Sequence, residues 1–176
     1  MRFPLVAMLS SAACVLALTA AAPAETTVEL KGVHLCCGNC VKTVAATLGK
    51  IEGVKGKCDR EARTVTITAP DAKTAQKAVN ALAAAGFHGK TDSKDVTIKD
   101  DSGATKGKVK SLTVTGAHNC CANCCKAIKA TVKKVPGVTG DTAKPKADTF
   151  EVTGDFDAAA LVKALNDAGF HVKVKK

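Results

Sequence analysis

The 176-residue sequence has no tryptophan and no tyrosine, and its only aromatics are five phenylalanines. That shortage bears on the charge, which is formally +10 from 26 Lys and Arg against 16 Asp and Glu. A basic chain suggests nucleic acid, but nucleic-acid grooves place aromatic rings for base stacking among their cations. No basic run here is interleaved with aromatics, so nucleic acid is not expected as a partner. The lysines are spread along both halves and read first as solvated faces, with an acidic partner or an anionic membrane surface as the alternative. Also lacking, after residue 22, is any apolar run long enough to cross a bilayer.

The run that does exist, Phe3 to Ala22, follows the basic start Met1-Arg2 and ends in the small residues of Ala22-Pro23-Ala24. Those are the marks of a cleavable leader, so residues 1–24 are read as a signal peptide and Glu25 as the first mature residue. Ser10, Ser11 and Thr19 interrupt the run and argue against a retained anchor. Cys14 has Ser11 three places before it where a lipoprotein signal has leucine, so it leaves with the leader. Losing Arg2 changes the balance to 25 basic minus 16 acidic residues, or +9. The mature product is expected to be periplasmic or secreted, with no stable membrane insertion after cleavage. Its length, about 150 residues, suits two small domains.

Seven of the nine cysteines fall in two clusters. The first is His34-Leu35-Cys36-Cys37-Gly38-Asn39-Cys40; the second, 84 residues on, is His118-Asn119-Cys120-Cys121-Ala122-Asn123-Cys124, with Cys125 adjoining. An exported chain with eight remaining cysteines invites a disulfide framework. Framework cysteines are scattered so that each bridge ties distant segments, whereas these are adjacent or three apart and would tie almost nothing. Thiols at such spacing converge on an ion.

The clusters belong to a duplication. Gly53-Val54 matches Gly137-Val138, Thr64-Val65-Thr66-Ile67 matches Thr149-Phe150-Glu151-Val152, and Ala85-Gly86-Phe87-His88 matches Ala168-Gly169-Phe170-His171, at offsets of 83 to 85. In the first copy, Val28, Leu30, Gly32 and His34 alternate along a strand. Val41, Val44, Leu48 and Ile51 have helical spacing, ended by Gly53. Strands over Val54 to Cys58 and Arg63 to Thr68 flank the turn Asp59-Arg60-Glu61. Asp71 caps a helix bearing Ala75, Val79 and Leu82, closed by Gly86, and Phe87 opens a last strand. The second copy reads as Val109 to Gly116, Ala122 to Val135, Val138 to Thr142, Thr149 to Thr153, Asp155 to Ala168 and Phe170 to Val174. The order in each is βαββαβ, an antiparallel four-stranded sheet with two helices on one face. That order brings the cysteine loop, the 59–61 turn and Phe87-His88 to one end. Residues 93–108, rich in Lys, Asp, Gly and Ser, read as a flexible linker in which Val96 and Ile98 could extend a strand.

A βαββαβ unit with C-x-x-C at its first loop and helix, and Gly-Phe before its last strand, resembles the heavy-metal-associated domain. That family includes copper chaperones, N-terminal modules of metal-pumping P-type ATPases and exported mercury-binding proteins. The resemblance implies an α+β, ferredoxin-like fold in two tandem domains, 25–92 and 109–176. It implies that Cys37 and Cys40, and Cys121 and Cys124, are metal ligands, with Phe87 and Phe170 at the position beside the metal. Where the family has G-M-T before the pair, this chain has His34-Leu35-Cys36 and His118-Asn119-Cys120.

Independently of any family, two thiols at a helix N-terminus are stabilised as thiolates by unpaired N–H groups and the helix dipole, which makes a soft site. Cys36 and Cys120 admit two readings, a third sulfur ligand or a small residue tolerated before the pair. Cys125 aligns with Val41 and precedes Ile128 and Val132 on the apolar stripe, so it reads as core. Cys58, whose counterpart in the second copy is Thr142, reads as a buried edge cysteine. His34 reads as partly buried and backbone-bonded, or else as an auxiliary ligand; His118, His88 and His171 are candidates for auxiliary ligation only. The expected function is soft-metal binding, one ion per domain and two per chain, with Cu(I) favoured and Hg(II), Zn(II) or Cd(II) as alternatives. The ion would be buffered, detoxified or passed to a metal-transporting or metal-accepting protein, with no catalysis. A thiol-disulfide oxidoreductase of the periplasm and an oxidised structural or interaction module are the alternatives.

Overall fold

The computed structural model describes residues 25–175, so the leader expected at 1–24 lies outside the described residues. The first half runs β1 (Thr26–Lys31), α1 (Gly38–Leu48), β2 (Lys55–Asp59), β3 (Thr64–Ala69), α2 (Ala72–Ala84) and β4 (Lys90–Thr91). The second runs β5 (Lys108–Thr115), α3 (Ala122–Val132), β6 (Val138–Asp141), β7 (Phe150–Asp157), α4 (Ala158–Asp167) and β8 (Lys173–Lys175). Two antiparallel four-stranded sheets result, ordered β2-β3-β1-β4 and β6-β7-β5-β8. The architecture is α+β and ferredoxin-like.

Alternation in the strands and helical spacing in the helices supply each core. Val28, Leu30, Val65 and Ile67 from the first sheet are buried with Cys40, Val44, Leu48, Ala75, Val79 and Leu82 from α1 and α2. Leu112, Val114, Val152 and Phe156 are buried with Ile128, Val132, Leu161 and Leu165 in the second half. Each large aliphatic side chain removed from water contributes about 1.5–3 kcal/mol. Asp71 caps α2 by accepting from the Thr74 N–H at 2.7 Å.

The structure corrects several sequence expectations. The first strand does not continue through Gly32, whose φ of +81° turns the chain and moves the alternation by one residue. Val33 and Leu35 therefore face inward, while His34 is half-buried. Helix α1 ends at Leu48, and Gly53 forms a later turn at φ +73°. The helix expected from Asp155 starts at Ala158, because pairing of Lys108 with Asp157 prolongs β7. Asp157 caps α4 instead, accepting from the Ala160 N–H at 2.8 Å.

Residues 93–108 are not a free tether. Val96 is fully buried and Ser102 nearly so. The Gln76 amide donates to Thr97 O at 2.8 Å and accepts from Thr97 N–H at 2.9 Å, fixing the segment against α2. Val174 N–H donates to Ser102 O at 2.8 Å, tying the same segment to β8. Buried apolar surface and paired backbone groups outweigh its loop-like composition.

The halves meet through the two Gly-Phe-His segments. Phe87 and Phe170 form an isolated antiparallel bridge with each other, and both rings are fully buried. Phe87 stacks on His118 at a centroid distance of 4.2 Å, and Phe170 on His34 at 4.4 Å. His171 N–H donates to Gly86 O at 3.0 Å, and His88 N–H donates to Gly169 O at 3.1 Å. Gly86 and Gly169 have φ of +85° and +96°. A Cβ on Gly86 would lie 2.3 Å from His118 N, and one on Gly169 would lie 2.4 Å from His34 N. The helix-ending glycine of each half therefore permits backbone of the other half to approach.

Gly86→Ala is expected to destabilise the reduced protein by clearly more than the about 1–2 kcal/mol of a left-handed alanine. Gly116→Ala is the control, because Gly116 has φ +81° but no neighbouring atom within 4 Å of a Cβ. Urea unfolding of both variants reads the difference, and equal losses would contradict a tight seam.

Candidate metal centre

Helix α1 opens at Cys37 and α3 at Cys121, both N-caps in extended backbone, with φ/ψ of −151/171° and −152/173°. Neither sulfur makes the capping bond that Ser or Asp would make, so each stands at the positive end of its helix. Cys40 and Cys124 follow on the first turn and are fully buried, while Cys36 and Cys120 immediately precede the caps and are half-buried.

Different residues hold the two loops. The Arg60 guanidinium donates to Cys36 O at 2.8 Å, which confirms that the 59–61 turn lies beside the first cysteine loop. Asn119 is buried, and its amide donates to Lys144 O at 2.8 Å and Ala147 O at 2.7 Å. Leu35 simply packs, at 4% exposure. The unlike residues at this repeat position thus do the same anchoring work by hydrogen bonding in one half and by burial in the other.

Because the seam brings the two loops face to face, the sulfurs form one group. Within the first loop, Cys40 Sγ is 3.8 Å from both Cys36 Sγ and Cys37 Sγ. Within the second, Cys124 Sγ is 3.8 Å from Cys120 Sγ and 3.7 Å from Cys121 Sγ. Distances between the halves are no longer. Cys36 Sγ lies 3.5 Å from Cys121 and 3.3 Å from Cys124. Cys120 Sγ lies 3.7 Å from Cys37 and 3.8 Å from Cys40, and Cys40 to Cys124 is 3.9 Å.

Five of the six thiols are shifted from their ordinary acidity, some down and some up. A hydrogen bond from Cys124, together with His118 and the Cys37 backbone, pulls the Cys40 thiol far below its ordinary value. Backbone hydrogen bonding from Cys124 brings Cys121 down to about 6. Burial pushes Cys36 up to about 12 and raises Cys120 as well. Cys124 is raised because it donates to the Cys40 sulfur. A negative charge on one buried sulfur disfavours a second beside it.

Two histidines face this group. His118 shares a cluster with Cys40, Cys120 and Cys124, and His34 with Cys36 and Cys124, each with its ligand atoms within 4.8 Å of one another. Among the described residues, the buried Nε2 atoms of both rings have no hydrogen-bond partner. Among the described residues, the backbone bond expected of the His34 side chain is not found, and both imidazoles stack on phenylalanine across the seam. His88 and His171 lie elsewhere. Their Nδ1 atoms are 3.1 Å apart, and His171 Nε2 is 2.7 Å from Asp101 Oδ1.

Cys125 is 4% exposed in the core, with its Sγ 3.5 Å from Ala143 O. Cys58 is half-buried on the edge strand β2, and burial raises its pKa. Sequence reasoning located both loops but missed their union. The signal was the paired Gly86-Phe87 and Gly169-Phe170, read as helix stops, strand starts and neighbours of a metal within one half, and not as a surface between the halves.

Residues 108–171 match the heavy-metal-associated domain family and form one such domain. That match and the thiol group define a metal-binding protein. Among solved structures, the chain is similar to a copper binding domain from HMA7, a P-type ATPase, at 20% identity and TM-score 0.36, over 39% of this chain and 96% of that one. The N-terminal soluble domains of Bacillus subtilis CopA align at 15% identity and TM-score 0.32, over 87% and 95%. The first two RRM domains of yeast Poly(U) binding protein Pub1 align at 11% and 0.25, over 85% and 98%. Function does not follow from likeness at this level. No curated protein is a significant match.

Burial, followed by the neighbouring His171, lowers His88 from 6.5 to about 4. The folded state resists this proton more than the unfolded chain does, so the contribution to stability is complete above about pH 6.5 and is lost as pH falls toward 4. Urea midpoints of reduced, metal-free protein should fall across that window, and His88→Gln should flatten the decline. An unchanged pH slope in the variant would refute the assignment.

Proposed function

We propose that this chain is an exported soft-metal-binding protein, with Cu(I) the favoured cargo, that buffers, detoxifies or delivers the ion and performs no catalysis. The observation that carries the reading is the gathering of Cys36, Cys37, Cys40, Cys120, Cys121 and Cys124 at the N-termini of α1 and α3. Soft thiolates select Cu(I), Zn(II) or heavier thiophilic ions over Mg(II) and Ca(II). The family match over 108–171 supports the same class. Export to the periplasm or the medium rests on the leader pattern at 1–24.

Delivery is supported by unequal burial. Cys40 and Cys124 are sealed, whereas Cys37 and Cys121 are half-buried and within reach of an incoming thiolate. An acceptor can therefore replace one sulfur at a time while the buried sulfur retains the ion. The acceptor would be a metal-transporting or metal-accepting protein carrying its own thiolates.

Reduced full-length protein is expected to retain Cu(I) against a competing chelator. Simultaneous Ser replacement of Cys37, Cys40, Cys121 and Cys124 should abolish retention, while Cys125→Val should keep it, because Cys125 lies in the core. Mass spectrometry of the intact protein reads both. Absence of Cu(I), together with efficient reduction of insulin disulfides, would establish the oxidoreductase alternative.

A further inference from the structure

Resting on that reading, we propose that the two cysteine loops are halves of one cage, built to hold a thiolate-bridged cluster of about four trigonal Cu(I) ions. It would replace two separate ions held by a pair of sulfurs each.

Sulfur spacing carries the inference. With a metal–sulfur bond of about 2.3 Å, two sulfurs on one ion stand about 4.6 Å apart in linear geometry, about 4.0 Å in trigonal and about 3.8 Å in tetrahedral. Cys37 and Cys40 are 3.8 Å apart and Cys121 and Cys124 are 3.7 Å apart, so neither pair is spread for a linear ion. Sulfurs from different halves are spaced in the same way, from 3.3 to 3.9 Å. An ion at either pair would therefore also meet sulfurs of the opposite loop.

The arrangement then decides between coordination numbers. Each measured separation is an edge of an octahedron whose opposite corners are Cys36 and Cys120, Cys37 and Cys124, and Cys40 and Cys121. An octahedron offers triangular faces and no four mutually adjacent corners. Cys37, Cys40 and Cys120 form one such face, with sides of 3.8, 3.7 and 3.8 Å. Cys36, Cys40 and Cys124 form another, with sides of 3.8, 3.3 and 3.9 Å. These two faces meet only at Cys40. Ions capping alternate faces share single sulfurs, so about four ions fill the cage and each thiolate bridges two of them. A tetrahedral ion would have to recruit His118 to Cys40, Cys120 and Cys124, the set whose ligand atoms lie within 4.8 Å.

Charge supports the larger cluster. Six thiolates in a half-buried site repel one another strongly. Four monovalent cations offset most of that charge and two offset only a third. Each thiol that ligates gives its proton to solvent, and the copper stays Cu(I) throughout. The Nε2 atoms of His34 and His118, which have no partner among the described residues, would serve as N–H donors to bridging sulfurs. This assignment makes Cys36 and Cys120 ligands.

The test is anaerobic titration of the reduced full-length chain with Cu(I), read by native mass spectrometry and copper X-ray absorption. A cage predicts that metal-free and about-four-ion species coexist at partial loading, with three sulfurs per copper and a metal–metal shell. Cys36→Ser should remove the four-ion species and the metal–metal shell, although Cys37 and Cys40 remain. Cys58→Ser, outside the cage, should change neither. Two ions loading independently, each with two sulfurs and no metal–metal shell, would overturn the cage and leave soft-metal binding standing. Preference for Zn(II) bound with a nitrogen ligand would also overturn it, and failure to retain Cu(I) at all would remove both proposals.

Discussion

The reciprocal packing of Gly86-Phe87 against Gly169-Phe170 is the constraint on which the rest of this molecule depends. Each glycine omits the side chain that would strike the partner half's backbone, and each phenylalanine covers the partner half's histidine. Two fully buried aromatic rings also make separation costly, since exposing each would forfeit several kcal/mol of transfer and packing energy. The halves therefore cannot rotate freely, and the cysteine loops beside the seam are held opposite each other. The docked segment 93–108 reinforces this by bonding to α2 at one end and β8 at the other.

Placement of thiols at helix N-termini has a different effect when two helices do it together. One loop alone would present a half-exposed thiol and a buried one to solvent and to a single cation. Opposed loops place the buried sulfurs of Cys40 and Cys124 in contact, so the first negative charge is stabilised by the neighbouring thiols and their own ionisation is suppressed. Cation binding is then coupled to proton release across both halves. Arg60 fixes the first loop through carbonyl oxygens, without placing its charge directly on a sulfur.

The repeat order and most element boundaries were legible because they rest on local rules. Alternation at Val65 and Ile67, capping at Asp71 and the burial of Cys125 each follow from residues within a few positions. Errors arose where a distant partner decided the outcome. Cross-strand pairing carried β7 to Asp157, and contacts with Gln76 and β8 ordered a segment that has the composition of a linker. Gly32 was misread for a simpler reason, since alternation cannot register a single residue at positive φ.

By itself the sequence determined the two βαββαβ halves, the position of each cysteine loop at a strand-to-helix junction, and the soft chemistry of its thiols. These follow from periodicity, capping and ligand type, none of which needs contacts far along the chain. Only the tertiary structure decided that the loops face each other and that His34 and His118 turn toward them while His88 and His171 pair apart. The reason is that the orientation of the two halves depends on complementary surfaces contributed by residues more than 80 positions apart, such as Phe87 with Phe170 and Gly86 with His171, and no local pattern encodes that match.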